Sequence, residues 1–517
     1  MTRLEKLVQI FTGSNQVLKR YLTLFYGFAL GLALILGILA IIQRGSKTPN
    51  EPAITQVSSL TQSASPTLDS TQVHSSSKPT ALPDIPPTPN IETPSTLGVT
   101  ASELNGVEVS LWYPWTGSTG AAFQSMLDGF SRTNQWGITV QAGAFEGFGS
   151  LDDAVEASLT SKTFPDVLVD YGYQLRHWDG SSVVTDLTPY VNDPVWGLAG
   201  IEQDDFYPEF WAEDLVRADS NNQTGRVGIP FYRSAYMLFY NQSWARELGY
   251  LTLPATPQDF KTQACAAARA ITEPGELSAP RRGGWLVTPQ PGAFMGWIYA
   301  FGGEIIKPDL SGYLFNTAEA RQAFEYLKGL QVSGCVWSDA DVSPQDEFAN
   351  RQALFVVGSL FDIAAQREAF TQAGNTDDWM VIPFPSSYQP VVDTYGPSLM
   401  ITQSTPAQQL AAWLVVKWLV YPPNLTEWVK LIETYPVRQS IMSYLSETSN
   451  ESSQWSQALS LLPYAHSEPS LASWSVVRWA LNDALVELIG PQFTRDQIPA
   501  LLENLDNMAG EIFSQVH

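Results

Sequence analysis

The stretch Val107–Gly172 decides the fold class, because strand-like and helix-like segments alternate along it. Apolar and polar residues alternate in the first segment as in a strand, and the second carries apolar residues at helical spacing. The five segments are VEVSLWY (Val107–Tyr113), AAFQSMLDGFSRT (Ala121–Thr133), GITVQAG (Gly137–Gly143), LDDAVEASLTS (Leu151–Ser161) and DVLVDYG (Asp166–Gly172). This β-α-β-α-β order predicts an α/β fold with a mostly parallel sheet, whose ligand lies beyond the carboxyl ends of the strands.

The composition supports a large core and excludes two classes of partner. The chain has 517 residues, of which 44% are hydrophobic and 12% aromatic, enough for a sizeable folded domain. Its formal net charge of -24 argues against nucleic acid and against anionic lipid head groups as partners.

An uncharged apolar stretch, LTLFYGFALGLALILGILAII (Leu22–Ile42), is long enough to cross a bilayer as a helix. Basic residues before the stretch outnumber those just after it: Arg3, Lys6, Lys19 and Arg20 against Arg44 and Lys47. The positive-inside rule then predicts a cytoplasmic tail over 1–20, a single-pass signal anchor over 21–43 and everything later outside the cell. A long, cleaved signal peptide is the alternative reading.

A linker rich in Ser, Thr and Pro follows over 44–104. Such a segment buries too little apolar surface to offset the entropy of ordering, so we predict a disordered stalk. The globular domain is expected over 105–517.

Beyond the first strands, the chain carries a series of motifs in a characteristic order. They include FPDVLV, VVTDLTPYV, GRVGIPFYRSAYMLFYNQSWARELG (Gly225–Gly249), LPATPQDF, EFANRQALFVVGSLFD and YPVRQS. In this order they resemble the family 1 extracellular solute-binding proteins of ATP-binding-cassette (ABC) importers, the maltose-binding-protein-like group. The chain departs from that family in lacking a lipobox Cys and in having Phe361 where a Trp is common.

The resemblance implies a periplasmic-binding-protein-like fold of two discontinuous lobes with a ligand cleft between them. We place lobe one at about 106–230 and 393–440, and lobe two at about 231–392 and 441–517. Both cysteines of the chain, Cys265 and Cys335, then fall in lobe two. A Cys pair in an exported protein usually forms a disulfide, and this one would brace that lobe.

No catalytic motif stands out, so we expect a binding protein and not an enzyme, with no cofactor and no metal. G-x-S-x-G, H-E-x-x-H and a P-loop are absent, and the four His residues are scattered. The segment DADVSPQDEFAN (Asp339–Asn350) lacks the Gly and Glu of a calcium loop and reads as a turn that caps the next helix. A pair of cleft carboxylates would suffice for a glycosidase, and the sequence leaves that alternative open.

Candidate ligand-binding residues come from strand ends and from the segments that resemble the family's cleft. They are Trp115, Asp170, Tyr171, Tyr232, Arg233, Trp297, Ser359, Phe361, Tyr395 and Arg438. Aromatic rings stack on the apolar faces of sugars, and carboxylates, hydroxyls and guanidinium groups bond to their hydroxyls. Five of them have a structural alternative: packing for the two Trp residues, a helix cap for Asp170, and ion pairs for Arg233 and Arg438.

These observations predict a membrane-anchored extracellular receptor that captures a carbohydrate and delivers it to the permease subunits of an ABC importer. We expect it to act as a monomer. A cell-surface carbohydrate-active enzyme and a ligand-sensing subunit are the alternatives.

Overall fold

A computed structural model describes residues 94–179, 183–216, 225–271, 282–446 and 453–516. The predicted cytoplasmic tail, the predicted membrane anchor and the predicted linker up to residue 93 lie outside the described residues. Among the residues that are described, no helix is long and apolar enough to cross a membrane.

The described elements alternate between strands and helices, as the sequence predicts. The strands are β1 (Glu108–Tyr113), β2 (Thr139–Ala144), β3 (Val167–Tyr171), β4 (Leu215–Val216), β5 (Gly225–Arg226), β6 (Ile229–Pro230), β7 (Ser234–Asn241), β8 (Gly283–Leu286), β9 (Val336–Trp337), β10 (Ala353–Ser359), β11 (Trp379–Ile382), β12 (Val392–Tyr395), β13 (Pro397–Ile401) and β14 (Ala465–Ser467).

The α-helices cover the faces of the sheets. They are α1 (Gly117–Thr133), α2 (Gly147–Ser161), α3 (Gly172–Asp179), α4 (Thr188–Val191), α5 (Gly200–Asp204), α6 (Pro208–Glu213), α7 (Gln242–Glu247), α8 (Pro257–Ile271), α9 (Pro291–Ala300), α10 (Ala318–Val332), α11 (Pro344–Ala349), α12 (Asp362–Gln372), α13 (Pro406–Leu419), α14 (Pro422–Ile432), α15 (Ile441–Ser446), α16 (Ser453–Ser460), α17 (Trp474–Ile489) and α18 (Ile498–Val516).

Two main sheets form the cores of two lobes, which confirms the predicted α/β two-lobed architecture. Lobe one has the strand order β2-β1-β3-β13-β6, with β1, β2 and β3 parallel and β13 antiparallel to β3. Lobe two has the order β14-β12-β7-β10-β8-β9, and β11 pairs with the second half of β7.

From β6 to β14 the chain passes between the lobes three times: twice at adjacent places, and once more between α14 of lobe one and β14 of lobe two. Of the two adjacent crossings, one joins β6 to β7 and the other joins β12 to β13 at Gly396. A Cβ at Gly396 would lie 2.4 Å from the carbonyl oxygen of Tyr232, so the two crossing segments touch where only glycine fits. The second crossing therefore lies three residues after the boundary predicted at 393, because β12 bonds into the sheet of lobe two.

Helix starts follow the capping chemistry of the sequence. The hydroxyl of Thr405 accepts a hydrogen bond from the backbone N–H of Gln408 at the start of α13, and Pro406 occupies the first turn. Ser343 accepts from the N–H of Asp346 in the same way, so the turn before α11 is a helix cap, as predicted.

The last part of the predicted disordered linker, from residue 94 to 104, is ordered and packed on lobe one. A single carboxylate oxygen of Asp193 accepts hydrogen bonds from the hydroxyls of Ser95 and Thr96 and from the N–H of Thr96, at 2.8–3.0 Å. Val99 and Leu104 are buried in the core of lobe one. The prediction was wrong here because apolar side chains spaced along a polar segment were enough to dock it.

A disulfide joins Cys265 on α8 to Cys335 just before β9, with their Cα atoms 4.4 Å apart. It ties a helix of lobe two to the edge of that lobe's sheet. Within lobe two it closes a loop of 70 residues.

Candidate ligand-binding cleft

Aromatic rings from both lobes meet where β3 of lobe one ends. Tyr171 is the last residue of β3, and its ring is parallel to that of Tyr173 at 5.3 Å between centroids. The ring of Phe148, at the start of α2, packs on Tyr171 at 4.3 Å. These rings lie at the carboxyl end of a parallel strand, the place where the sequence predicts the ligand.

Lobe two contributes a matching pair of rings. Tyr236 on β7 and Tyr395 on β12 are stacked at 4.7 Å, and Tyr395 approaches Tyr171 across the cleft at 6.4 Å. Burial raises the pKa of Tyr395 to about 12, although the neighbouring hydroxyls of Ser234, Ser359 and Tyr236 act against the rise. The tyrosine hydroxyls therefore remain protonated at physiological pH and can both donate and accept hydrogen bonds.

Charged groups lie beside the rings of lobe two. Asp393, on the same strand as Tyr395, is fully buried, and Glu468 follows β14 directly. Arg478 on α17 forms an ion pair with Glu468 at 3.5 Å. Burial raises the pKa of Asp393 well above its usual range, the neighbouring Glu468 raises it further, and Arg478 partly offsets both effects.

Two hydrogen bonds connect the lobes at this point. A guanidinium nitrogen of Arg478 donates to the hydroxyl of Tyr173 on α3, at 2.5 Å. The hydroxyl of Ser467 on β14 donates to Glu213 at the end of α6. In this conformation the cleft is therefore closed on one side by direct contacts between lobe one and lobe two.

The predicted site residues Tyr171 and Tyr395 are brought together at this cleft, and Phe361 lies at its edge. Phe361 precedes α12, is 44% exposed and meets the ring of Tyr232 edge-on at 6.1 Å. Tyr232 itself is buried. The hydroxyl and N–H of Ser359 bond to Asp362 at 2.7–2.8 Å, so this serine mainly fixes the start of α12.

Trp115 is half-buried and packs in an aromatic cluster of lobe one. Its ring contacts those of Trp428 at 4.9 Å and Phe123 at 5.1 Å, and Phe231 stacks on Trp428 at 5.9 Å. We call Trp115, Phe123, Phe231 and Trp428 the lobe-one aromatic cluster. These contacts correspond to the packing alternative for Trp115.

Asp170 lies beneath the cleft and has no exposed surface. One of its oxygens accepts from the N–H of Tyr171 at 2.7 Å. Burial raises the pKa of Asp170 well above its usual range, and the adjacent Asp152 carboxyl raises it further. A protonated Asp170 carboxyl is therefore favoured over two ionised carboxylates side by side.

Arg233 is engaged by protein groups and has little left to offer a ligand. It forms an ion pair with Glu213 at 2.7 Å and donates to the carbonyl oxygens of Tyr232 and Pro397. It therefore holds the two crossing segments together, which is the ion-pair alternative noted in the sequence.

Arg438 and Trp297 also lie away from the cleft rings. Arg438 is paired with Asp205 at 2.7 Å and donates to the carbonyl of Val420. Trp297 is 0% exposed and packs against Phe260 in the core of lobe two, so a ligand has no access to it in this conformation. These contacts correspond to the packing alternative for Trp297, whose helix α9 is buried all round, and to the ion-pair alternative for Arg438.

Several cleft residues escaped the sequence analysis: Tyr173, Tyr236, Asp393, Glu468 and Arg478. Two of them carried a usable signal. Asp393 is two residues before Tyr395 on a strand, so both side chains must face the same way. Tyr173 lies two residues after Tyr171 in the motif YGY. Glu468 and Arg478 come from the C-terminal part of the chain, and no local pattern links them to the cleft.

Within the described ranges, no group of three or more His, Cys, Asp or Glu side chains is arranged to hold a metal ion. The groups that could contact a ligand at the cleft are tyrosine rings and hydroxyls, the carboxyls of Asp393 and Glu468, and the guanidinium of Arg478.

Comparisons with known proteins agree with this architecture. A family model described as bacterial extracellular solute-binding protein matches residues 122–458. No curated protein matches the chain.

Solved structures with the same fold cover most of the chain at low sequence identity. The cyclic α-maltosyl-1,6-maltose binding protein from Arthrobacter globiformis is 20% identical, with a TM-score of 0.65 over 78% of this chain and 99% of its own. The sugar-binding protein MalE from Xanthomonas citri is 19% identical, with a TM-score of 0.66 over 79% and 98%. UgpB from Mycobacterium tuberculosis, solved in complex with glycerophosphocholine, is 18% identical, with a TM-score of 0.61 over 80% and 99%.

Proposed function

Because this chain belongs to the bacterial extracellular solute-binding proteins, we propose that it is a receptor that captures a carbohydrate between its lobes. The observation that carries the proposal is the meeting of tyrosine rings from both lobes, with Tyr171 on one side and Tyr236 and Tyr395 on the other. Sugars present flat apolar faces for such rings and hydroxyls for the phenol groups around them. The MalE and cyclomaltosyl-maltose-binding neighbours are named for sugar ligands of this kind.

Capture works through the equilibrium between open and closed lobes. The two crossing segments at Tyr232 and Gly396 touch and form the natural pivot. A ligand that contacts Tyr171 of lobe one and Tyr395 of lobe two at once makes all its contacts only in the closed state. It therefore shifts the population toward closure by the free energy of the contacts it gains there.

We further propose that the receptor is anchored by the apolar stretch 22–42 and delivers its ligand to the permease of an ABC importer. The support is the length and charge asymmetry of that stretch and the family to which the globular domain belongs. The full-length chain, produced in bacterial cells, should stay in the membrane fraction after an alkaline wash. Recovery of the full-length protein in the wash would contradict the anchor.

Binding without turnover is the expected behaviour, since members of this family are binding proteins. Incubation of the purified chain with any oligosaccharide that it binds should return the oligosaccharide intact by mass spectrometry. Hydrolysis that disappears when Glu468 is replaced by Gln would favour the enzyme alternative, since that carboxylate lies in the cleft.

The test of capture is a thermal-shift screen of maltodextrins, other oligosaccharides, polyols and glycerophosphodiesters. At least one saccharide should raise the melting temperature, because a ligand that binds only the folded state stabilises it by mass action. Tyr395→Ala should abolish the shift, whereas Tyr388→Ala, at a tyrosine that is 73% exposed and is not stacked on the cleft tyrosines, should preserve it. If no saccharide raises the melting temperature, or if only glycerophosphodiesters do, the carbohydrate assignment is wrong.

A further inference from the structure

We propose that the cleft contains a subsite for a positively charged nitrogen of the ligand, formed by Asp393, Glu468 and the rings of Tyr236 and Tyr395. The inference rests on the proposed receptor function and narrows its ligand to an amine-bearing saccharide. We call these four residues the cation subsite.

The first argument is the isolation of the Asp393 carboxyl. On β12 this residue lies opposite Tyr236 of β7 and His466 of β14, in the interior of the sheet. It has no exposed surface, and within the described part of the chain neither of its carboxylate oxygens has a hydrogen-bond partner. Removing a carboxylate from water without a partner is costly, so this position favours either a proton or a cation at the carboxyl.

The second argument is the charge balance around the subsite. One guanidinium, that of Arg478, faces two carboxyls, and it is already paired with Glu468 and bonded to the hydroxyl of Tyr173. His466 bonds to the exposed carboxylate of Glu304 at 3.1 Å, on the rim. Tyr171, Tyr173 and Tyr236 interact electrostatically with Arg478, and Tyr299 with Asp393 and Glu468. Glu213, which accepts a hydrogen bond from Ser467, is paired with Arg233. With both acids ionised, one negative charge is left unmatched, and a neutral sugar does not compensate it.

The third argument is the arrangement of the rings. Tyr236 and Tyr395 are stacked beside Asp393, and Tyr171 of lobe one faces Tyr395 across the cleft. The face of a tyrosine ring is electron-rich and attracts a cation within about 6 Å. Carboxylates and ring faces together form an environment that binds an ammonium group more strongly than a hydroxyl group.

The subsite also predicts proton release on binding. In the unliganded receptor the raised pKa of Asp393 keeps its carboxyl protonated to a higher pH than usual. An ammonium group beside it lowers that pKa, so the carboxyl gives up its proton as the ligand binds. Binding should therefore tighten as the pH rises toward the pKa of the unliganded Asp393.

The experiment compares saccharides that differ only at one substituent. Glucosamine and the di- and trisaccharides of chitosan are titrated beside the corresponding glucose and N-acetylglucosamine compounds, using the full chain and isothermal calorimetry. The amine form should bind about tenfold tighter than either neutral form. Repeating the titration in two buffers with different ionisation enthalpies should reveal proton release for the amine alone.

The matched variants are Asp393→Asn, which cannot ionise, and Asp378→Asn, at a carboxylate that is 76% exposed on another surface of lobe two. Asp393→Asn should abolish both the preference for the amine and the proton release, and Asp378→Asn should retain both. The wild-type comparison and its proton count test the inference even where Asp393→Asn does not fold.

The outcomes separate the inference from the receptor function beneath it. Neutral saccharides that bind as well as their amines, without proton release, overturn the cation subsite and leave the carbohydrate receptor in place. An amine preference that survives Asp393→Asn also overturns the subsite. Failure of every amine and every neutral saccharide to bind overturns the receptor function together with the subsite.

Discussion

The lobe-one aromatic cluster and the cation subsite are both built from aromatic rings in close contact, but they differ in what accompanies the rings. Trp115, Phe123, Phe231 and Trp428 surround one another in lobe one, with no carboxyl or guanidinium among them. Tyr236 and Tyr395, in contrast, lie beside buried charged groups. Rings alone thus indicate packing, and rings with an unpartnered buried charge indicate a place for a ligand.

The largest effect is expected in the lobe-one aromatic cluster. Trp428→Ala removes a fully buried indole and should lower the free energy of unfolding by about 3–5 kcal/mol. Ligand affinity of the folded fraction should stay unchanged, since Trp428 is part of the core of lobe one. Denaturant unfolding and calorimetric titration measure the two quantities, with Tyr388→Ala as the control. A loss of affinity without a loss of stability would place this cluster in the site and erase the contrast.

Tyr173→Phe tests the contact between the lobes. It removes the hydroxyl that accepts from Arg478 and should weaken ligand binding by about 2 kcal/mol, because a hydrogen bond to a charged group that forms on closure is lost. Stability should change little, since the ring and its stacking on Tyr171 remain. Calorimetric titration with the strongest saccharide of the screen measures the effect. Unchanged affinity would show that this bond does not contribute to closure.

The pH dependence of stability should separate Asp170 from ordinary surface carboxylates. A carboxyl with a raised folded-state pKa stabilises the protein fully below its unfolded pKa of about 3.9, and this stability is lost as the pH rises through the folded pKa. Asp170→Asn cannot ionise, so its free energy of unfolding should fall less than that of the wild type from about pH 4 to about pH 8. Each unit by which the pKa is raised corresponds to about 1.4 kcal/mol. Urea midpoints across this pH range measure the difference between the two proteins, with Asp378→Asn as the control that should follow the wild type. A profile of Asp170→Asn that runs parallel to that of the wild type would contradict the burial argument.

The smallest effect is expected at the rim. Phe361→Ala removes a ring that is 44% exposed, so the free energy of unfolding should change by less than about 1 kcal/mol. Affinity for a saccharide should fall by about 0.5–1.5 kcal/mol where the ring stacks on the ligand. Comparison with Tyr388→Ala by titration detects the difference. Equal affinities of Phe361→Ala and Tyr388→Ala would show that Phe361 does not contact the ligand.

The contrast also explains what the sequence could predict. The sequence pattern predicts β1, α1, β2, α2 and β3, since the residues that define each element are neighbours in the chain. The end of β3 therefore places Tyr171 correctly. Arg478 and Glu468 are separated from Tyr171 by most of the domain, and only the packing of α17 and β14 against lobe one brings them together. The ion pairs of Arg233 and Arg438 could not be assigned from local sequence for a related reason, because Glu213 and Asp205 lie 20 and 233 residues away.

The docking of residues 94–104 has a mechanical consequence. Asp193 accepts hydrogen bonds from Ser95 and Thr96, and Leu104 is buried in the core of lobe one, so residues 94–104 are attached to that lobe. Burial raises the pKa of Asp193, but hydrogen bonds from the backbone of Trp196, Val195 and Thr96 and from Ser95 outweigh this effect. The pKa of Asp193 therefore lies below its usual range, and its carboxylate stays ionised over a wide pH range. A pull on this segment is therefore transmitted to lobe one first. When the chain is held at this segment, lobe one stays in place and lobe two rotates about the pivot.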